Sequence, residues 1–362
     1  AEPAQHGKLY TTFVVQRSRR IVSVMSTAQI EPLEPNPGGI VDPDDLVGRE
    51  AELQALLRHI GHGGAYVVGD RRMGKTSLIK KAIAQLRAVG HTVVYTSAET
   101  GDLDTFTTAL MAEIRRQARL GQGLARWEAQ LDGEATLRVA GSGLRLAGRL
   151  KRTGKPVETD LLRLCFEAVR AHGPHRLVLC VDEIAVLANA LAADDPAAGM
   201  EFLRSLRRSR QSLDGVTVVL AGSVGLHHAI NDLSVINDLP EVAVGPLLPD
   251  DALLLARRLM LGAFGADPPA VTTQIAGSCS AIPYYMQALV NHLRGLGPVP
   301  GEATQVEDAV EDAVEDALAG DQWDTDHYYD RIALYYGDDA RLVINSMDAF
   351  ADRAVHSLDA LI

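Results

Sequence analysis

The sequence predicts an α/β chain: a five-stranded parallel sheet flanked by helices, followed by an all-helical segment. Three observations predict it. Five short, mostly apolar runs (residues 65–68, 92–95, 177–181, 216–221 and 242–244) alternate with helix-like segments. Those runs lack an in-out polar alternation, as expected of parallel strands covered on both faces. After Pro246 the pattern turns helical without interruption.

Residues 1–40 carry Arg17, Arg19 and Arg20, a short apolar stretch, and a Pro-rich lead-in from Pro32. The apolar stretch is too short for a signal-peptide core. This leader, 1–40, is expected to be disordered or to be an upstream translation artefact, with Met25 a more plausible protein start. From Asp44-Asp45 onward, Leu46, Val47, Leu53 and Leu56-Leu57 recur at helical spacing. The run 65–68 ends at Gly69, and the helix expected over 75–87 gathers Leu78, Ala82, Ile83 and Leu86 on one side. A helix over 104–117 follows the second strand. Residues 136–150 alternate around Gly141 and Gly143 and lead into Arg149, Leu150, Lys151 and Arg152, the pattern of a small basic hairpin. A helix over 161–171 and a basic helix over 200–213 flank the strand 177–181, and the core is expected to span 41–245. Helices over 250–261, 270–276, 283–296 and 306–318 make up a unit at 246–320, the last repeating Val-Glu-Asp-Ala three times.

With 362 residues and a formal charge of −12, the chain disfavours a non-specific grip on nucleic acid or an anionic membrane, although a local basic patch could provide either. No apolar run approaches the ~20 residues needed to span a bilayer. Cys165, Cys180 and Cys279 lie far apart without metal-ligand spacing, and read as reduced core residues of a cytoplasmic protein.

The chemistry begins at Gly69-Asp70-Arg71-Arg72-Met73-Gly74-Lys75-Thr76, followed by Ser77, which fits G-x-x-x-x-G-K-[ST]. Glycines let backbone N–H groups converge on phosphate oxygens, and a helix N-terminus adds positive potential. Lys75 would reach the β- and γ-phosphates, and the Thr76 hydroxyl would ligate Mg²⁺. Average residue usage makes a chance match in such a chain roughly one in a hundred, and here the motif sits between a predicted strand and a predicted helix. Asp182-Glu183 closes the strand 177–181; Asp182 suits the metal and Glu183 the general base that activates water. Ser223 ends the strand 216–221, where parallel strands line a ligand crevice, and could bond the γ-phosphate or the lytic water. Arg204, Arg207, Arg208 and Arg210 read either as a solvated helix face or as a source of an arginine finger. His227-His228 has no metal-binding partner nearby in sequence.

These pieces resemble a P-loop ATPase of the AAA+/STAND group, and within it the archaeal-ATPase-like family, relatives of the origin-recognition initiators. The resemblance spans roughly 44–335 and rests on Leu46-Val47-Gly48-Arg49-Glu50, the loop 69–77, Val181-Asp182-Glu183, Ala221-Gly222-Ser223 and Ile282-Pro283-Tyr284-Tyr285. It implies that Val47, Gly48 and Arg49 border the adenine, that 246–320 is a lid with Pro283 near the base, and that 321–362 begins a winged helix. Trp323-Asp324 and His327-Tyr328-Tyr329 resemble that junction. The family's Gly-x-Pro is Ala281-Ile282-Pro283 here, and no nucleotide-sensing arginine lies between Ser278 and Tyr285.

The expected function is a switch that binds ATP with Mg²⁺ and hydrolyses it slowly unless a protein partner or a second copy supplies an arginine. The alternative is an ATP-licensed DNA-binding initiator or regulator, with DNA reached only through the incomplete C-terminal unit. A small-molecule kinase fits less well, because Asp182-Glu183 suits activation of water and no acceptor-binding domain is apparent.

Overall fold

The computed structural model describes residues 30–140, 143–170, 175–194, 197–223, 236–315, 332 and 339–351. Its central sheet has the order β2-β6-β7-β1-β8 and every pairing is parallel. The strands are β1 (Gly64–Val68), β2 (Thr92–Ser97), β6 (Leu177–Asp182), β7 (Val216–Gly222) and β8 (Glu241–Ala243). Alternation along each strand supplies two separate cores. Tyr66, Val94, Leu179 and Val218 pack on one face with Phe106, Leu110 and Phe202. Val67, Val93, Val178 and Val219 pack on the other with Leu56, Leu78 and Ile79. Strands buried on both faces have no polar side to display, which is why β6 and β7 read as continuous apolar runs.

The covering helices are α1 (Glu50–Gly61), α2 (Lys75–Ala88), α3 (Leu103–Arg116), α4 (Ala118–Glu128), α5 (Leu161–Arg170), α6 (Ile184–Asp194) and α7 (Ala198–Ser212). Leu46 and Val47, expected on the first helix, lie before it. Gly48 and Arg49 both have positive φ (66° and 71°), so the helix starts at Glu50. Between α4 and α5 the expected hairpin is a three-stranded antiparallel sheet: β3 (Thr136–Ala140), β4 (Gly143–Arg149) and a third strand, β5 (Pro156–Asp160).

The segment after Pro246 is helical: α8 (Pro249–Phe264), α9 (Pro269–Ser278), α10 (Pro283–Leu296) and α11 (Ala303–Glu315). It has its own core of Leu259, Met260, Ile275, Met286, Val290 and Val306, into which Val47 also packs. A further helix, α12 (Ala340–Ala351), lies beyond it. The Trp323–Tyr329 junction, the region expected to begin a winged helix (apart from 332 and 339–351) and His227-His228 lie outside the described residues.

The expected disordered leader is corrected at its C-terminal end. The Leu33 N–H donates to the Arg258 carbonyl at 2.9 Å, Arg258 Nε donates to the Glu31 carbonyl at 2.9 Å, and the Asn36 N–H donates to Gln287 Oε1 at 3.0 Å. At Gly262, a Cβ would sit 2.2 Å from the Leu33 carbonyl oxygen. Proline richness suggested an unstructured lead-in, but α8 and α10 satisfy this segment's backbone groups.

Candidate functional site

The ends of β1, β6 and β7 lie side by side in register, with Val67 opposite Ala221 and Val181 opposite Leu220. Everything that follows them in sequence is therefore collected at one edge of the sheet. After β1 the chain turns through Gly69 (φ 150°), Arg72 (φ 72°) and Gly74 (φ 90°) into the first turn of α2 at Lys75. Gly69 is required by contact as well as by conformation: a Cβ there would lie 2.1 Å from the Val244 carbonyl oxygen. The loop thus delivers the unpaired N–H groups of a helix N-terminus to one point. Lys75 is buried, and its ammonium donates to the carbonyls of Gly69 (2.7 Å) and Asp70 (2.8 Å).

Across from the loop, Asp182 is 4% exposed and fully engaged. Its Oδ2 accepts from the Thr76 hydroxyl at 2.7 Å and from the Tyr95 phenol at 3.0 Å, while Oδ1 accepts from the Glu183 N–H at 3.0 Å. Tyr95 was missed from sequence, since a tyrosine within a strand reads as core. Burial and then the Asp182 charge raise its pKa well above the usual phenol range, so it stays a proton donor. Lys80 Nζ lies 3.3 Å above the Tyr95 ring centroid; its pKa is lowered, first by burial and then by Arg87.

Glu183 has φ 52°, and its Oε2 accepts both the Ser223 N–H at 3.1 Å and the Ser223 hydroxyl at 2.9 Å. In this arrangement the Ser223 hydroxyl is directed at the neighbouring carboxylate. Four residues from three chain segments (Thr76, Asp182 with Glu183, and Ser223) thus face one another beside the loop. An oxygen-only donor pair, Thr76 Oγ1 and Asp182 Oδ2, matches what a hard divalent cation with phosphate co-ligands requires. Among the described residues no three His, Cys, Asp or Glu side chains converge into a self-sufficient metal cage.

The helical segment reaches the same loop. Arg72 donates to the Tyr285 hydroxyl at 2.9 Å and stacks over the rings of Tyr284 (4.1 Å) and Tyr285 (5.2 Å), directly after Pro283 in the first turn of α10. Arg49 is 5% exposed and donates to the carbonyls of Met73 at 3.0 Å, Gly245 and Pro246, as well as to Glu52 at 3.0 Å. Its guanidinium is a strut between the loop, α1 and the connection to α8. Val47 packs in the helical core, and Gly48 lies so close to Asp251 that a Cβ would meet it at 2.8 Å. Arg71 pairs with Glu99 at 3.5 Å. The α7 arginines are engaged on their own surface: Arg204 and Arg208 with Glu201, and Arg207 and Arg210 with Asp238. That pairing favours the solvated-face reading of this stretch.

Comparison with known proteins decides the class. The family model described as the AAA ATPase domain matches residues 45–219, a span that contains the loop, Asp182 and Glu183. That span, just under half of the chain, is similar to an AAA ATPase domain. The chain that carries it is a nucleotide-binding enzyme that hydrolyses ATP. The Walker-type ATPase of Pyrococcus abyssi shares the fold, with a TM-score of 0.50 and 18% identity over 88% of each chain. Domain III of the Thermotoga maritima replication initiation protein DnaA aligns at a TM-score of 0.42 and 12% identity, covering 75% of this chain and 95% of that one. The Thermotoga maritima RuvB Holliday junction branch migration motor aligns at 0.41 and 14% identity, covering 80% and 76%. No curated protein matches significantly in sequence. Among the described residues, no helix is long and apolar enough to cross a membrane.

Proposed function

We propose that this ATPase is a two-state switch of the AAA+/STAND type, in which the triphosphate held by the core sets the position of the helical segment 246–320 as a lid. Lys75 and the N–H groups of Gly69–Ser77 would bind the phosphates. Thr76 and Asp182 would hold Mg²⁺, which when bound supplies positive charge against the phosphate oxygens. Glu183 would take the proton of the attacking water, and Ser223, donating twice to Glu183 Oε2, would hold that base until substrate competes for it. Tyr95 keeps Asp182 oriented. Val47, Gly48 and Pro283 are assigned to the border of the adenine, and Arg49 to bracing that border.

The observation that carries the switch reading is Arg72. A residue inside the phosphate-cradling loop is stacked on two tyrosines at the start of a lid helix. A change in loop geometry when phosphate arrives would then alter a contact made only with the lid, the differential interaction a population shift requires. Hydrogen exchange of the full chain tests this. Amides of α10 should change protection by at least fivefold between the ADP state and the state with a non-hydrolysable ATP analogue and Mg²⁺. Identical protection in the two states would defeat the switch reading and leave a plain ATPase.

A further inference from the structure

The small sheet β3-β4-β5 plays no part in nucleotide chemistry, yet its charge is unlike that of the rest of the chain. Residues 136–155 contain six of the protein's 35 Lys and Arg residues and none of its 47 Asp and Glu residues. The pairing register explains how they are displayed. Leu144 and Leu146 of β4 are buried toward the core, which puts Arg145 and Arg149 on the opposite face. Arg138 of β3 stands directly across from Arg145 on that same face. Asp160 faces Arg145 from the other side, and Glu158 lies on the same outer edge strand, so the positive strip follows β3 and β4 toward the connecting turn. There Arg149, Lys151, Arg152 and Lys155 are all exposed with no carboxylate among residues 149–155. Lys151 Nζ donates to a backbone carbonyl, that of Ala129, at 3.0 Å.

We infer that this sheet and its 149–155 turn are a docking surface for the phosphodiester backbone of double-stranded DNA, read by charge and not by base sequence. Two features favour DNA over the other polyanionic surface, a lipid bilayer. None of the large exposed apolar side chains among the described residues lies on this sheet, so nothing is present to insert into a membrane. Gly154, in the turn, has nothing within 4 Å of where a Cβ would sit, which leaves its backbone open to close approach by a phosphate chain. This surface is separate from the C-terminal segment and from the nucleotide site, so the inference stands apart from the switch reading.

The test is fluorescence anisotropy of a labelled 20-base-pair duplex titrated with the full chain between 50 and 200 mM salt. Four phosphate contacts predict a log–log salt slope of about −3.6, equivalent to roughly 150-fold weaker binding across that range. The triple variant Arg149→Glu/Lys151→Glu/Arg152→Glu changes only exposed side chains. It should keep the parent's circular dichroism and melting temperature, lose more than tenfold in affinity, and show a slope shallower by about 2.7. The inference is overturned if the parent fails to bind duplex at 50 mM salt, or if the folded triple variant binds as the parent does. Binding to anionic phosphatidylserine vesicles without binding to duplex would overturn it in favour of a membrane. Should the triple variant misfold, Lys151→Ala/Arg152→Ala replaces it, and an unchanged slope in that variant counts against the surface.

Discussion

Replacing Arg49 with alanine tests whether the loop, core and helical segment are mechanically joined. The guanidinium is 5% exposed and serves the carbonyls of Met73, Gly245 and Pro246 together with the Glu52 carboxylate. Alanine removes every one of these donors at once. The buried Met73 carbonyl loses its partner, and Glu52, a quarter exposed, loses its countercharge. Breaking a buried charged network by deleting one partner costs about 3–5 kcal/mol. At roughly 2–4 °C per kcal/mol for a domain of this size, the melting temperature should fall by about 6–20 °C. Arg49→Lys keeps the charge but offers a single point donor that cannot span carbonyls on two segments, so it should recover less than half of the loss. Arg58→Ala, an exposed change on the same helix, is the control and should stay within about 0.5 kcal/mol of the parent. The measurement is differential scanning calorimetry without nucleotide. An Arg49→Ala melting temperature within 2 °C of the parent would refute the strut.

Lys75→Ala should weaken ATP binding at least a hundredfold by calorimetry, because the ammonium now bonded to Gly69 and Asp70 carbonyls is the loop's own countercharge to phosphate; unchanged affinity would move the site elsewhere. Glu183→Gln should bind ATP normally and lower phosphate release by about 10²-fold or more, the scale of a lost general base. Ser223→Ala, which removes the hydroxyl's hydrogen bond to Glu183 Oε2 and leaves that of the backbone N–H, should shift kcat while leaving ATP affinity within threefold; equal loss of binding and turnover would remove its positioning role. Burial first, and then the charges of Arg176 and His175, hold the folded His91 imidazole below its ordinary value of 6.5. The unfolded chain therefore binds the extra proton first, and stability should drop as pH falls through 6.5 toward the folded value. His91→Asn should flatten that part of the pH–stability curve, and an unchanged slope in urea titrations between pH 7.5 and 5.5 would contradict this assignment.

What could be read from the sequence was what is local in it. The loop 69–77 is contiguous, and Asp182-Glu183 ends an apolar run, so both announce themselves without tertiary information. Tyr95 does not. It becomes a partner of Asp182 only because β2 lies beside β6, with Tyr95 opposite Cys180 and Ser97 opposite Asp182. Ser223 was legible as a strand end, but its bond to Glu183 depends on Glu183 adopting a left-handed backbone (φ 52°). The unforeseen helices have opposite causes. Ala118–Glu128 contains Gly121 and Gly123, poor helix formers, yet a Cβ at Gly121 would meet the Arg115 carbonyl oxygen at 2.6 Å and one at Gly123 the Ala168 Cβ at 2.7 Å. Close packing selected those glycines against propensity. Ile184–Asp194 is apolar nearly all round, so no amphipathic stripe marks it. Strand Pro156–Asp160 is largely polar and half exposed, and only its pairing with β4 identifies it.

The phosphate loop is held from three directions, and this bears on the switch reading. Gly69 rests against Val244 after β8, Arg49 holds the Met73 carbonyl, and Arg72 is stacked on α10. Arg72 sits at φ 72°, which for a side-chain-bearing residue costs roughly 1–2 kcal/mol. A charged hydrogen bond to Tyr285 with stacking on two rings contributes about the same or somewhat more. The two quantities nearly balance, so Arg72 occupies a conformation that its contact with α10 sustains with little to spare. A coupling of 1–3 kcal/mol, the usual range between linked sites, corresponds to 5–150-fold in a lid equilibrium. That lies within what the gain or loss of this one contact can supply. The reading therefore needs no long pathway through the core, because the residue that would sense the phosphate and the residue that touches the lid are the same.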